Sequence, residues 1–113
     1  MPECIGILPS LSQLHVNNNQ LTQIPDSICC MVSLTVLNLS CNGLTHLPDA
    51  IGNIVSLTDL HVYGNQLTHI PDSINSLTSL AWLFVKKNPI TSTQAGKDEV
   101  IRKFGRAGLT ISA

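Results

Sequence analysis

The chain has 113 residues, a formal net charge of −1 at pH 7 and an isoelectric point near 6.4. This length suits one small domain, and six Lys and Arg residues with no net positive charge are a poor footprint for nucleic acid. No apolar run is long enough to span a bilayer, and no basic segment followed by an apolar stretch indicates a secretory signal. We therefore expect a cytoplasmic protein that binds neither nucleic acid nor membrane.

From residue 11 onward the sequence repeats every 23 residues. The repeats start at Leu11, Leu34, Leu57 and Leu80. Each reads Leu-x-x-Leu-x-(Leu/Val)-x-x-Asn-x-(Leu/Ile)-Thr, and the first three continue with x-(Ile/Leu)-Pro-x-x-Ile. A period in the range of about 20 to 50 residues is typical of solenoids, whose function lies on an extended surface.

The spacing of apolar residues changes within each repeat. Leu37 and Leu39 alternate with polar neighbours, as in a short half-buried strand, and equivalent pairs occur in the other repeats. The following apolar residues lie three or four apart, and the Pro prevents the strand from continuing. Each repeat is therefore predicted to contain a strand, a turn and a return segment in short helical or extended form. Stacked repeats would form one parallel sheet of about four strands over a shared core.

Asn and Asp recur with the repeat at positions that suggest structural roles. A buried Asn is costly unless it is hydrogen-bonded, so an Asn column after the strands indicates that each amide bonds backbone groups at its turn. These residues are Asn19, Asn42, Asn65 and Asn88. An Asp also follows the Pro in three repeats, and we expect it to cap the N–H groups of a helical turn. These residues are Asp26, Asp49 and Asp72.

Residues 1–10 contain only the second half of a repeat. Pro2 and Ile5 precede Pro25 and Ile28 by 23 residues, so the sequence starts on a return segment without a capping helix. Such a start leaves an open sheet edge, which natural proteins normally cover. We favour a piece of a longer array, because uncapped arrays are unstable. The alternative is a short protein whose edge strand pairs with a partner or with a second copy.

The repeat pattern ends after Asn88 and Pro89. Residues 97–104 predict a short amphipathic helix, with Val100, Ile101 and Phe104 on one face. We interpret residues 91–113 as a carboxy-terminal cap on the repeats of residues 11–90.

Over residues 2 to about 90 the chain resembles the leucine-rich repeat family. It is most similar to the intracellular 23-residue class with a Leu-Pro-x-x-Ile return segment, as in Ras-group-related leucine-rich repeat proteins. The resemblance implies an α/β solenoid in the form of a short horseshoe, with a concave parallel sheet that binds other proteins. It makes a small GTPase or another signalling protein a candidate partner.

Residues that flank the buried leucines should face the concave side. The last two repeats place three of the four aromatic residues there, beside charged residues, and this mixture is typical of a binding hot spot. The predicted protein-binding residues are Asp59, His61, Tyr63, Trp82, Phe84, Lys86 and Lys87. The alternative is that the carboxy-terminal segment folds over Trp82 and Phe84 and buries them.

Charge is unevenly distributed along the chain. All six Lys and Arg residues lie from residue 86 onward, whereas residues 1–85 carry only acidic charges. This asymmetry would steer an acidic partner toward the aromatic end. A solvated cap helix explains the same charges equally well.

No constellation of catalytic or metal-binding residues is identifiable. His15 and His61 share a column but lie two strands apart, roughly 10 Å at normal strand spacing, which is too far for one zinc ion. Cys41 has no base beside it in its column, and the spacing of the four cysteines favours reduced thiols. We therefore expect no enzymatic activity, no metal and no cofactor. Two functions stay open: a protein-interaction module, or a scaffold or regulatory fragment of a larger signalling protein whose catalytic domain lies outside this chain.

Overall fold

The computed structural model describes residues 12–20, 22, 24 and 33–113. The predicted partial repeat at residues 1–10 lies outside the described residues, as do Asp26, Cys4, Cys29 and Cys30.

A five-stranded parallel sheet forms one face of the molecule, with the strands in chain order. The strands are β1 (Gln13–His15), β2 (Val36–Asn38), β3 (Asp59–His61), β4 (Trp82–Phe84) and β5 (Thr110–Ser112). The first four lie in register at the 23-residue period, so that Leu37 faces Leu60 and Leu60 faces Leu83. The sequence predicted these four strands, and β5 is an addition to them.

The middle residue of each central strand points into the core. Leu37, Leu60 and Leu83 are fully buried, whereas the residues on either side of them face outward. This alternation follows from the two-residue period of a strand. Leu, Ile and Val from successive repeats, joined by Phe104, then pack into one continuous core.

The return segments form short 3₁₀ helices at Asp49–Asn53 and Asp72–Ser76. Pro48 and Pro71 precede them in extended conformation, and each helix buries an isoleucine, Ile51 in the first and Ile74 in the second. Proline suits this position because it ends the extended segment and lacks the N–H that the first turn would leave unpaired.

The Asn column forms a ladder of hydrogen bonds between repeats. The Oδ1 of Asn65 accepts from the N–H groups of Asn42 and Leu44 at 3.1 and 3.2 Å. Its Nδ2 donates to the carbonyl oxygens of Leu39 and Val62 at 3.0 and 3.1 Å. Asn65 is almost completely buried, and this arrangement satisfies its amide.

The ladder ends at a threonine. Asn88 repeats the Asn65 pattern toward the preceding repeat, donating to Val62 and Val85. On its other side no asparagine follows. The N–H of Asn88 instead donates to the Oγ1 of Thr91 at 3.4 Å, and that hydroxyl donates to the Val85 carbonyl at 2.9 Å. Thr91 lies in a 3₁₀ helix at Pro89–Thr91 and closes the polar column from within the cap.

Helix α1 (Gln94–Phe104) follows and begins three residues before the predicted start. The Thr93 side chain caps it by accepting a hydrogen bond from the N–H of Gly96 at 3.1 Å. Val100 and Phe104 are buried against the last repeat, but Ile101 is 49% exposed, so its predicted place on the buried face is wrong. Residues four apart share a helix face, whereas the next residue along is turned by about 100°.

The predicted capping role of the Asp after the Pro is wrong for both described helices. Asp49 and Asp72 are the first residues of their 3₁₀ helices, and neither helix start has a side-chain cap hydrogen bond. Asp72 instead forms a salt bridge with Lys103 of α1 at 2.5 Å. This ion pair connects the cap to the preceding return segment.

Strand β5 extends the sheet beyond α1. A turn through Gly108, whose φ of 86° is readily adopted only by glycine, leads the chain back to the sheet edge. Thr110 and Ile111 then pair with Trp82 and Leu83. None of the helices in the described part of the chain is long and apolar enough to cross a membrane.

Candidate protein-binding face

Strands β3 and β4 bring four of the predicted binding residues together. The parallel register places Asp59 beside Trp82 and His61 beside Phe84. All four flank the buried Leu60 and Leu83 and therefore face the concave side of the sheet. Tyr63 follows β3 and is also exposed. We refer to Asp59, His61, Tyr63, Trp82 and Phe84 as the concave face.

The rings of this face form a stack. His61 and Phe84 lie parallel with centroids 4.4 Å apart, and Trp82 and Phe84 lie parallel with centroids 5.9 Å apart. One contact joins β3 to β4 and the other lies within β4, so that a partner would meet a preformed surface of stacked rings. Preorganised aromatic rings of this kind reduce the entropy that binding costs.

The cap does not cover the stack. Trp82 is 45% exposed and Tyr63 is 38% exposed, so the alternative in which the carboxy-terminal segment buries Trp82 is wrong. The reason is that β5 joins the sheet at the edge of β4 and does not fold across its face. Phe84 is half-buried, with His61 and Trp82 as its ring neighbours.

His61 lies in an environment that disfavours its charged form. Partial burial lowers the pKa of His61 below 6.5, and the positive charge that His15 can carry lowers it further, whereas Asp59 opposes both effects. The imidazole is therefore mainly neutral at pH 7, and its stacking on Phe84 is one of aromatic rings and not of a cation on a ring.

The turn after each strand places one residue in the left-handed region. The φ values there are 60° at Asn18, 58° at Cys41, 71° at Gly64 and 60° at Lys87. Gly and Asn adopt this conformation most easily, and both occur in the column. Their occurrence at the same offset is the sequence signal for this turn. Lys87 is the bulky exception.

Lys86 and Lys87 are exposed and lie in the turn after β4. Residues of the cap lie next to them, and the sequence did not predict this proximity. Together with Lys97, Thr91 and Ala113 the two lysines line an open cavity of about 200 Å³. We call this cavity the lysine pocket. Sequence reasoning missed Lys97 and Thr91, because the distance from the strand turn to α1 depends on how the cap folds.

Within the part of the chain that the structure describes, no group of three or more His, Cys, Asp or Glu side chains is arranged to hold a metal ion. Cys41 is an exposed free thiol. His15, the other histidine of the concave column, is also exposed. The arrangement offers apolar rings and fixed charges, which suit recognition of a macromolecular surface.

The leucine-rich repeat family model matches residues 9–67 and 32–90. The chain belongs to the leucine-rich repeat family. The predicted family and the predicted repeat solenoid with a parallel sheet are therefore confirmed. Leucine-rich repeat proteins are generally protein-interaction modules, and members of the family are typically not enzymes.

Two solved structures with the same fold come from Leptospira interrogans and Listeria monocytogenes. A leucine-rich repeat protein of Leptospira interrogans is similar with a TM-score of 0.82 and 31% identity, over 91% of this chain and 25% of that one. An internalin from Listeria monocytogenes is similar in fold with a TM-score of 0.70 and 24% identity, over 90% of this chain and 28% of that one. The chain thus spans about a quarter of the length of each. A search of curated proteins found no match.

Proposed function

We propose that this chain is a non-catalytic module that binds a partner protein through its concave face and the adjoining lysines Lys86 and Lys87. The observation that carries this proposal is the ring stack of His61, Phe84 and the exposed Trp82, with the exposed Tyr63 after β3. Trp and Tyr side chains are common anchors of protein interfaces. Five strands of three residues each form a small sheet, so the binding should be weak or transient.

The cellular location of the chain and the class of its partner are also part of the proposal. We propose a cytoplasmic protein, and the resemblance to Ras-group-related repeat proteins supports a small GTPase or another signalling protein as the partner. The alternative is that the chain is a scaffold or regulatory fragment of a larger signalling protein. This alternative has one specific support, because the chain corresponds to only about a quarter of each similar bacterial structure. The flanking coding sequence would decide between the two.

The proposal is tested by affinity capture from a lysate of the source cells, followed by mass spectrometry. Three baits are compared: the unchanged chain, a Tyr63→Ala, Trp82→Ala variant, and a Val55→Ala, Ile101→Ala control. The control shortens two apolar side chains that lie outside the concave face. Val55 is 55% exposed and Ile101 is 49% exposed. Each bait is first shown to be folded by circular dichroism.

A protein that is retained by the unchanged chain and the control, but lost from the concave variant, is then purified and titrated directly against all three. Loss of affinity in the concave variant alone would support the proposal. Equal affinity for all three baits would rule out the concave face as the site. A concentration-dependent dimer in light scattering would instead favour self-association through a sheet edge.

A further inference from the structure

The lysine pocket concentrates positive charge at one end of the concave face. Lys86 and Lys87 come from the turn after β4, and Lys97 comes from the first turns of α1. Thr91 and Ala113 complete the lining of the cavity, whose volume is about 200 Å³. A space of this size admits a small anionic group, and its mouth is open to solvent.

Among the described residues, no ion pair involves the three lysines of the pocket, whereas the other basic side chains of the cap each have a partner. Arg102 pairs with Glu99, Lys103 pairs with Asp72, and Arg106 donates to the carbonyl of Leu77. Arg102, Lys103 and Arg106 are all of the basic residues of the cap other than Lys97.

For Lys86, Lys87 and Lys97, no carboxylate among the residues that the structure describes lies within ion-pair distance. Ammonium groups that line one cavity repel each other, and their summed potential attracts a counter-ion. The three pocket lysines therefore have no counterpart of the ion pairs that Glu99 and Asp72 form with Arg102 and Lys103.

Two of these lysines occupy positions that are not the most favourable ones for a lysine. Lys97 lies near the amino-terminal end of the eleven-residue α1, where the helix dipole disfavours a cation. Lys87 has a φ of 60° at a turn position that Gly64 and Asn18 fill more easily and that Cys41 fills in a third repeat. An anion in the pocket would offset the unfavourable position of Lys97 in the helix dipole.

We propose that the lysine pocket binds a phosphate group, carried on a phosphorylated side chain of the partner protein. A phosphorylated side chain has a charge of about −1.5 to −2 at pH 7 and three acceptor oxygens, which matches several ammonium donors better than a carboxylate does. Lys86 lies two residues after Phe84, so a segment that contacts the ring stack lies next to the pocket. The identity of the carrier rests on the proposed function, but the phosphate site itself does not.

The test uses the chain alone and three capped tripeptides, Gly-X-Gly, in which X is phosphoserine, serine or glutamate. Each is titrated at constant ionic strength while amide shifts are followed by ¹H–¹⁵N NMR. We expect saturable shifts at Lys86, Lys87, Thr91 and Lys97 with the phosphoserine peptide. The serine peptide should give none, and the glutamate peptide should bind at least about tenfold more weakly.

A matched pair of variants assigns the effect to the pocket. Lys87→Gln, Lys97→Gln removes two pocket charges, and Arg102→Gln, Lys103→Gln removes two charges from the same cap outside the pocket. The first should weaken phosphoserine binding by about tenfold or more, and the second by less than about threefold, because exposed charges at a distance are screened.

Shifts that stay linear and spread over all basic residues would overturn the proposal, and so would equal binding of the phosphoserine and glutamate peptides. Both outcomes are read from the unchanged chain, so they do not depend on the variants folding. The peptide titration contains no partner protein. Saturable phosphoserine binding would therefore support the phosphate site even if the concave variant still bound its partner in the capture experiment. Conversely, partner binding through the rings stands if the pocket takes no phosphate.

Discussion

Replacement of Asn65 by alanine should remove a large share of the stability of this fold. The Asn65 amide lies between two repeats and links backbone groups of both. It accepts from the N–H groups of Asn42 and Leu44 and donates to the carbonyl oxygens of Leu39 and Val62. The residue is 2% exposed, so solvent cannot easily take the place of the lost side chain.

The magnitude follows from those four hydrogen bonds. At about 1 kcal/mol each, their loss costs about 4 kcal/mol of the free energy of unfolding. The two carbonyl oxygens keep other donors, because Leu39 also accepts from Asn42 and Val62 also accepts from Asn88. The buried N–H of Leu44 loses the acceptor that Asn65 provides, which costs about 1–3 kcal/mol by itself. We therefore expect a loss of about 3–5 kcal/mol, against a total of about 5–15 kcal/mol for a typical domain.

The assay is urea unfolding followed by circular dichroism, with the free energy of unfolding obtained by linear extrapolation. The matched control is Asn75→Ala, which makes the same change at an exposed position of the neighbouring return segment. The control should change the free energy of unfolding by no more than about 0.5 kcal/mol. If the free energies of unfolding of the two variants differed by less than about 1 kcal/mol, the hydrogen bonds of Asn65 would not be a major source of stability.

Three further predictions concern the cap and the ring stack. Gly96→Ala should destabilise the fold by about 1–3 kcal/mol in the same urea assay, because its Cβ would lie 1.8 Å from the carbonyl oxygen of Ile90; an unchanged midpoint would contradict the close approach. The pKa of His61 is lower in the folded chain than in the unfolded one, so the folded state binds fewer protons, and the free energy of unfolding should fall as the pH drops from above 6.5 through the folded pKa. His61→Gln should flatten that dependence in pH-resolved urea melts, and an equally steep curve would refute the assignment to His61. Lys103→Met breaks a surface ion pair with Asp72 and should cost less than about 1 kcal/mol in thermal melts; a larger loss that persists at high salt would show that the pair is not screened.

The repeated part of the fold could be predicted because one sequence pattern specifies it several times. Leu37, Leu60 and Leu83 recur at one offset, and this offset alone fixes strand position, register and buried face. The turn position shared by Asn18 and Gly64 carries a similar signal, because both residue types adopt the left-handed conformation easily.

The cap could not be predicted in the same way because its pattern occurs once. Strand β5 consists of Thr110, Ile111 and Ser112, which stand outside the 23-residue period and have no counterpart with which to align them. Its place depends on the length of α1 and on the turn at Gly108. The replacement of an asparagine by Thr91 at the end of the ladder likewise depends on tertiary contacts.

The same difference applies to the candidate site. The outward direction of Asp59, His61, Trp82 and Phe84 followed from the strand period. The exposure of these side chains could not be predicted from the strand period. It depended on whether the carboxy-terminal segment covered the sheet or extended it. The lysine pocket joins a strand turn to a helix of the cap, so neither element alone indicated it.

The most direct test of the central claim is site-specific photo-cross-linking. A photoreactive phenylalanine analogue is placed at Tyr63 in one variant and at Val55 in another, since both positions are exposed but only the first belongs to the concave face. We predict that the partner identified by affinity capture cross-links at position 63 and not at position 55. Cross-linking at position 55 alone, with the variant at 63 equally folded and equally able to retain the partner, would contradict binding through the concave face.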